Sequence, residues 1–216
     1  LESDSIDFIY TDPPFGITGA KWDKGLNWKE LFPEMWRVLK PTGVICLYAS
    51  CPFTYELLKY QTPKYHYTWI KNNSTGFLTS KYQPLRKTEE IFVYYQKPGG
   101  TYNPQMIGDE FHPKRKVKFG GKQGYWGKEG SIKNNEIINE EGHYGRYPDN
   151  VRYDKIEKGK KNMKPSSLSN YFIKTYSNEE DTILDMCCNN DIVSIICDEL
   201  KRNYIGVDLN IDFTKI

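Results

Sequence analysis

Histidine and cysteine are too few and too scattered to build a metal site. The chain has three histidines, at 66, 112 and 143, and five cysteines, at 46, 51, 187, 188 and 197. No two cysteines form a C-x-x-C pair, and no histidine stands at ligand spacing from one. Adjacent Cys187 and Cys188 are poorly placed for a structural bridge, so all five are read as reduced, mostly core residues of an intracellular chain. Charge of one sign is missing too. Thirty Lys and Arg against 28 Asp and Glu leave a net +2, so bulk charge does not mark a nucleic-acid binder. No apolar run is long enough to cross a membrane and no signal peptide opens the chain, so a cytoplasmic protein with no membrane partner is expected. An initiator methionine is also absent: "LESDSIDF" runs almost directly into a strand, and an upstream segment is expected.

What is present reads as alternating strands and helices. The 216 residues suffice for one α/β domain with a core and an inserted lobe. "IDFIY" is a strand stopped at once by Pro13 and Pro14. "WKELFPEMWRVLKPTG" puts Leu31, Met35, Val38 and Leu39 on one helical face, with Pro33 expected in the first turn and Pro41 and Gly43 closing the helix. "GVICLYAS" is a continuous apolar strand, as in a parallel sheet buried on both faces. "PFTYELLKYQ" reads as a helix, and "YHYTWIKNN" and "TEEIFVYYQK" as strands. From about residue 98 to 163 no amphipathic period persists, and Lys114, Arg115, Lys116, Lys118, Lys122, Lys128 and Lys133 face Glu129 alone between 114 and 133. Regular structure returns with the helix "KPSSLSNYFIKTYS", the strand "DTILDM", the helix "DIVSIICDELK" and the strand "RNYIGVDLN". Asp185 and Asp208 stand at the ends of those last two strands.

A strand, turn and helix followed by a strand ending in an acid is a common way to hold a nucleoside-containing cofactor. The turn after Asp185 has no glycine, which disfavours a phosphate-bearing ligand. S-adenosylmethionine, with a ribose and no phosphate, fits that turn. "TDPPFG" supplies complementary chemistry. An exocyclic amine on a base is a weak nucleophile, because its lone pair is delocalised into the ring. The Asp12 carboxylate accepting one N–H and the Pro13 carbonyl accepting the other would favour a tetrahedral nitrogen, with both acceptors fixed by the prolines. Phe15 can stack on a base flipped out of a duplex.

These segments resemble, in the family's own order, the amino-methyltransferases acting on DNA in which the catalytic motif precedes the cofactor motif (the β-type order). "TDPPFG" is similar to the catalytic [DNS]PP[YFW] motif, "RVLKPTG" to a helix end of many S-adenosylmethionine enzymes, and "RNYIGVDLN" to the ribose-binding strand. "TGFLTSKYQPLRKTEEIFVYYQK" and "YNPQM" are similar to stretches of adenine-specific members, and "MKPSSLSNYFIKTYSNEEDTILDM" to the helix leading into the cofactor strand. The resemblance implies an α/β fold with a Rossmann-like S-adenosylmethionine methyltransferase sheet. It implies a catalytic half over 1–97, a target-recognition insertion over 98–163 and a cofactor-binding half over 164–216. Asp12, Pro13, Pro14 and Phe15 would form the catalytic loop. Asp12, Lys164, Pro165, Asp185, Met186, Cys187, Asn189, Asp208 and Asn210 would surround S-adenosylmethionine. Arg86, Lys114, Arg115, Lys116, Lys122 and Trp126 would contact DNA.

The expected activity is methyl transfer to adenine N6 in DNA, as in restriction–modification systems, with base flipping and no covalent enzyme intermediate. The departures from the family pattern frame the alternatives. Asn189-Asn190-Asp191 replaces a Gly-Ser-Gly type turn, with Asn189 expected to take the positive-φ position and Asp191 to cap the following helix. "KGKKNM" replaces the family's histidine-containing run. A methyltransferase-fold subunit with a degenerate cofactor site, serving a catalytic partner, is the alternative from another class; cytosine N4 or RNA as target is the alternative within the enzyme class. A homodimer is compatible with either.

Overall fold

The computed structural model describes residues 1–97, 99–113, 142–157, 163–188 and 190–208, and the backbone of two short strands at 116–118 and 136–138. By its internal contacts the chain divides into one unit made of Leu1–Asn103 and Asp149–Ile216, and a second, Pro104–Pro148.

The first unit is built on a seven-stranded sheet. In chain order its elements are β1 (Ile6–Thr11), α1 (Trp28–Val38), β2 (Leu39–Ala49), α2 (Phe53–Tyr60), β3 (Tyr65–Thr75) and β4 (Arg86–Tyr95). The second unit contributes β5 (Ile107–His112), β6 (Lys116–Lys118), β7 (Glu136–Ile138) and β8 (His143–Arg146), and the first resumes with β9 (Val151–Arg152), α3 (Ser166–Tyr176), β10 (Thr182–Asp185), α4 (Ile192–Glu199) and β11 (Asn203–Gly206). The sheet order is β11-β10-β1-β2-β4-β3-β9. β11, β10, β1 and β2 run parallel; β4 is antiparallel to both β2 and β3. The sheet is therefore mixed, and the long apolar strand β2 has one parallel and one antiparallel neighbour where a wholly parallel setting was expected.

Strand alternation sorts the core into two layers. Phe8, Tyr10, Val44, Cys46, Tyr48, Ile91 and Val93 face α3 and α4, packing on Phe172, Ile173, Val193 and Ile196. Ile9, Ile45, Leu47, Phe92 and Tyr94 face α1 and α2, packing on Trp28, Phe32, Met35 and Leu57. Ile6 joins this second layer although Phe8 belongs to the first, because the pairing register slips between them. Asp7 at the slip is tied down: it takes both contacts from Lys40 Nζ at 2.8 Å and accepts the Thr182 N–H at 2.9 Å.

Two expectations for the α1–β2 junction fail. Pro33 lies inside α1 and not in its first turn; both it and Lys29, whose carbonyl loses a donor, are exposed, so water can serve that group. The helix stops at Val38, before Pro41 and Gly43, which already belong to β2. Gly43 is required there for contact: a Cβ would stand 2.8 Å from the Asp7 carbonyl oxygen and 2.7 Å from Leu39 Cδ1.

In the second unit β5 pairs antiparallel with β8, and β6 with β7. These strands fall in the stretch without legible periodicity. The insertion expected over 98–163 is wider than this unit, since β9 pairs with β3 in the main sheet.

Candidate active site

β1 pairs parallel with β2 on one side and with β10 on the other, so the chain departs from β1 in both directions across the sheet and its carboxyl end faces the crevice where a parallel α/β sheet binds ligands. Asp12 follows directly after β1, and Asp185 is the last residue of β10. The loop after the two prolines is held by a buried acid that the sequence did not single out. The Asp23 carboxylate accepts the Gly16, Ile17 and Thr18 N–H groups at 2.7, 3.0 and 2.7 Å. Its burial raises the carboxyl's pKa, but the hydrogen bonds from Thr18, Gly16 and Ile17 outweigh this and hold it below the usual value. The Phe15 ring stacks on Phe53, with centroids 5.1 Å apart.

Asp12 is the end of an alternating chain of charges. Lys164 Nζ lies 2.7 Å from Asp12 Oδ2 and 3.1 Å from Glu89 Oε2, and Lys71 Nζ lies 3.1 Å from Glu89 Oε1. Lys71 is in phase with buried Tyr67 and Trp69, and Glu89 with buried Ile91 and Val93, so both point into the layer that holds α3. Lys164 immediately precedes the Pro165 that opens α3, and its ammonium sits 4.6 Å from the centre of the Tyr48 ring. Desolvation pushes Asp12 up; Lys164 pulls it back and Glu89 adds to the rise, leaving the carboxyl above its ordinary value. Glu89 is held below its own value because Lys164 and Lys71 outweigh its burial. Lys164 is raised, since Asp12 and Glu89 outweigh a desolvation that acts the other way. Lys164 takes Asp12 Oδ2, and no described residue donates a hydrogen bond to Oδ1.

A cleft of about 450 Å3, counted with its open mouth, lies against this chain of charges. Its walls include Tyr10, Asp12, Tyr48, Lys164, Ser169, Asp185, Cys187 and Asn190, with Met163, Ile192 and Val193 as the apolar part. Tyr10 O–H donates to Ser169 Oγ at 3.0 Å and shares a 2.6 Å hydrogen bond with Tyr48. Burial pushes Asp185 up to about 7, against a hydrogen bond from the Cys187 N–H at 3.2 Å. Burial likewise pushes the Cys187 thiol up to about 12, which makes it a packing group and not a nucleophile. Two acids and apolar walls, with no glycine-rich phosphate cradle, suit a cationic, phosphate-free nucleoside. S-adenosylmethionine has that character, carrying a sulfonium and an ammonium.

The expected residues separate into three groups. Asp12, Lys164, Asp185 and Cys187 line the cleft together. Pro13, Pro14, Phe15, Pro165, Met186 and Asp208 belong to the same sheet edge and loops without lining it, and Asp208 is near enough to contribute to the rise of Asp185. Arg86 opens β4 at that same edge, because β4 runs against β2. Asn189, Asn210, Lys114, Arg115, Lys122 and Trp126 lie outside the described residues, and for Lys116 only the strand backbone is described. Asp191 occupies the N-cap position of α4 without a side-chain cap; Asn190 Oδ1 takes the Ile192 N–H at 3.0 Å instead. Glu89, Lys71, Tyr10, Tyr48 and Ser169 were not singled out by sequence. For Glu89 and Lys71 the available signal was a charged residue in step with the buried face of its strand.

Comparison with known proteins agrees with this geometry. The chain is 27% identical over 231 residues to the type II methyltransferase M.HpaI of Haemophilus parainfluenzae, covering 100% of this chain and 68% of that protein. Its fold matches the cytosine-N4-specific PvuII DNA methyltransferase with a TM-score of 0.61 at 11% identity, covering 97% of this chain and 77% of that one. It also matches TTHA0409 of Thermus thermophilus, solved in complex with S-adenosyl-L-methionine, with a TM-score of 0.59 at 16% identity, over 100% and 84% of the two chains. Residues 6–216 match the profile of the DNA methylase family N6_N4_Mtase. The chain therefore belongs to the DNA methylase family, the amino-methyltransferases that act on DNA with S-adenosylmethionine as methyl donor.

Proposed function

We propose that this chain transfers a methyl group to the exocyclic N6 of adenine in DNA. The observation that carries transfer to an exocyclic amine is Asp12 itself, a carboxylate lining the cleft with one oxygen held by Lys164 and the other without a described protein donor. Adenine is favoured by the resemblance of residues 75–97 to adenine-specific members. S-adenosylmethionine supplies the electrophilic methyl group on its sulfonium. Asp12 Oδ1 accepts one N–H of the target amine, and the Pro13 carbonyl accepts the second. Two acceptors on one nitrogen draw it toward a tetrahedral shape and turn its lone pair out of the ring plane. A carboxyl whose pKa is raised is also a better proton acceptor for the amine as it becomes positively charged. The two prolines and the Asp23-pinned loop fix these acceptors before the base arrives, so little ordering remains to be done at the reacting atom. The acids Asp12 and Asp185 attract the cationic cofactor, and Asp208 accepts hydrogen bonds from its ribose.

Asp12→Ala is expected to abolish methyl transfer and to weaken cofactor binding, while thermal unfolding changes little. Retained turnover in that variant would refute the mechanism. Cytosine N4 is the second reading, favoured by the fold match to the cytosine-N4-specific PvuII enzyme. Nucleoside chromatography of methylated DNA separates the two, because N6-methyl-2′-deoxyadenosine and N4-methyl-2′-deoxycytidine elute apart.

A further inference from the structure

The segment that joins β3 to β4 carries large apolar side chains that no described residue covers. Phe77 is 79% exposed, Leu78 95% and Tyr82 88%. Such residues in a cluster mark an interaction surface more often than isolated ones do. The segment is built, because its turns are hydrogen-bonded throughout: Thr79 and Ser80 N–H donate to the Gly76 and Phe77 carbonyls, and Tyr82 and Gln83 N–H donate to the Thr79 carbonyl. Gly76 enters it at φ +90°, a conformation that L side chains rarely adopt.

Its charge is one-sided. Between Asn72 and Thr88 there are Lys81, Arg86 and Lys87 and no acid, in a chain whose charges otherwise nearly balance. Its place in the fold follows from strand direction. β3 runs parallel to β1 through two antiparallel steps, so the segment leaves the sheet at the edge where Asp12 stands. Its root is tied to the catalytic acid, since Lys71 Nζ donates to Thr75 Oγ1 at 3.3 Å and meets Glu89, which meets Lys164.

We propose that residues 76–85 form a DNA-contact element whose apolar tip lies against bases and whose basic flank contacts phosphates; this rests on the reading of the chain as a DNA methyltransferase. Apolar wedges of Phe and Leu are used by DNA-binding proteins to press between base steps, and Lys and Arg beside them neutralise the backbone. A second copy of the chain is the competing occupant of such a surface, and the test distinguishes it.

The test measures binding of a randomised-sequence DNA duplex by fluorescence anisotropy over a range of salt concentrations, with S-adenosylmethionine affinity and sedimentation mass measured on the same samples. Phe77→Ser/Leu78→Ser removes two exposed side chains, so the fold has little to lose. It is expected to weaken DNA binding by about tenfold, the equivalent of one stacked base, without changing the slope of log affinity against log salt. Lys81→Ala/Lys87→Ala is expected to flatten that slope by about two units. Both variants keep cofactor affinity and sedimentation mass. Unchanged DNA affinity in the apolar variant overturns the proposal, as does a fall in sedimentation mass, which would make the surface an interface between copies. Wild-type protein that binds cofactor but no DNA would instead overturn the DNA reading on which the proposal rests.

Discussion

Lys164→Met tests the charge network most directly. The substitution keeps most of the side-chain volume and removes the cation shared by Asp12 and Glu89. In the parent chain one ammonium lies 2.7 Å from an Asp12 oxygen and 3.1 Å from a Glu89 oxygen. Those two oxygens are therefore no more than about 6 Å apart, and at an effective dielectric of about 20 two full charges at that distance repel by roughly 3 kcal/mol. Asp12 is 34% exposed, so water screens part of this, and a net loss of about 2–3 kcal/mol is expected in urea unfolding at pH 7.

Glu89→Gln alone leaves Lys71 and Lys164 facing each other across a neutral side chain, which is again an unbalanced arrangement. The double variant restores balance, with one cation and one anion at the two ends. It is expected to be more stable than the sum of the single losses by at least about 1 kcal/mol; additivity within about 0.5 kcal/mol would refute the network. Kinetics give an independent sign. Lys164 lowers the Asp12 pKa and Glu89 raises it, so the acidic limb of the pH–rate profile is expected to move up in Lys164→Met and down in Glu89→Gln. Shifts in the same direction would show that Asp12 does not titrate under the control of these two groups.

Asp12→Asn should raise stability at neutral pH, because the folded state disfavours that charge, with the gain held under about 1 kcal/mol by exposure and by Lys164; calorimetric unfolding checks it. Asp185 is the stronger pH reporter. Its folded pKa is pushed from 3.8 to about 7, so the folded state holds a proton that the unfolded chain has already released. The associated stability is complete below pH 3.8 and is lost as pH rises through 7, a change of about 4 kcal/mol that Asp185→Asn should abolish in unfolding measured at pH 4 and pH 8. Asp23→Ala leaves three amides without their acceptor, and is expected to cost about 1–3 kcal/mol and to lower kcat by loosening the catalytic loop. Its contribution has the opposite pH sign: the pKa is depressed, so the stability is present above pH 3.8 and disappears below it.

Much of the sheet was readable because its strands are long apolar runs with sharp stops. Asp12 and Asp185 were found for the same reason, since an acid that ends a buried strand in an α/β chain stands at the ligand edge. The α1–β2 junction was misread because Pro41 and Gly43 are ordinary helix terminators. In β2, Gly43 serves instead to let the strand pass the slipped register at Asp7, a long-range fact with no local signature. The strands of the second unit were missed for a different reason. "IGDEFH" is mostly exposed and "HYGR" has glycine at its one buried position, so neither shows the alternation that marks a half-buried strand.

Glu89 and Lys71 illustrate what a polar residue in a strand can conceal. Read singly, each belongs to a solvent-facing position, and in "TEEIFVYY" and "YTWIKNN" nothing distinguishes them by type. Their phase does distinguish them, because each continues the face that its strand buries. Charges placed there carry a desolvation cost of several kcal/mol apiece, and a fold retains them only when partners of the opposite sign arrive from elsewhere in the chain. Lys164, some 75 residues after Glu89 in sequence, is that partner. The Asp12 carboxylate thus sits at the end of a network drawn from β3, β4 and the segment before α3, and its pKa, on which proton acceptance depends in the proposed mechanism, is set by burial together with Lys164 and Glu89. Under the proposed mechanism the motif around Asp12 marks where the chemistry occurs, while burial, Lys164 and Glu89 determine how readily that carboxylate takes a proton.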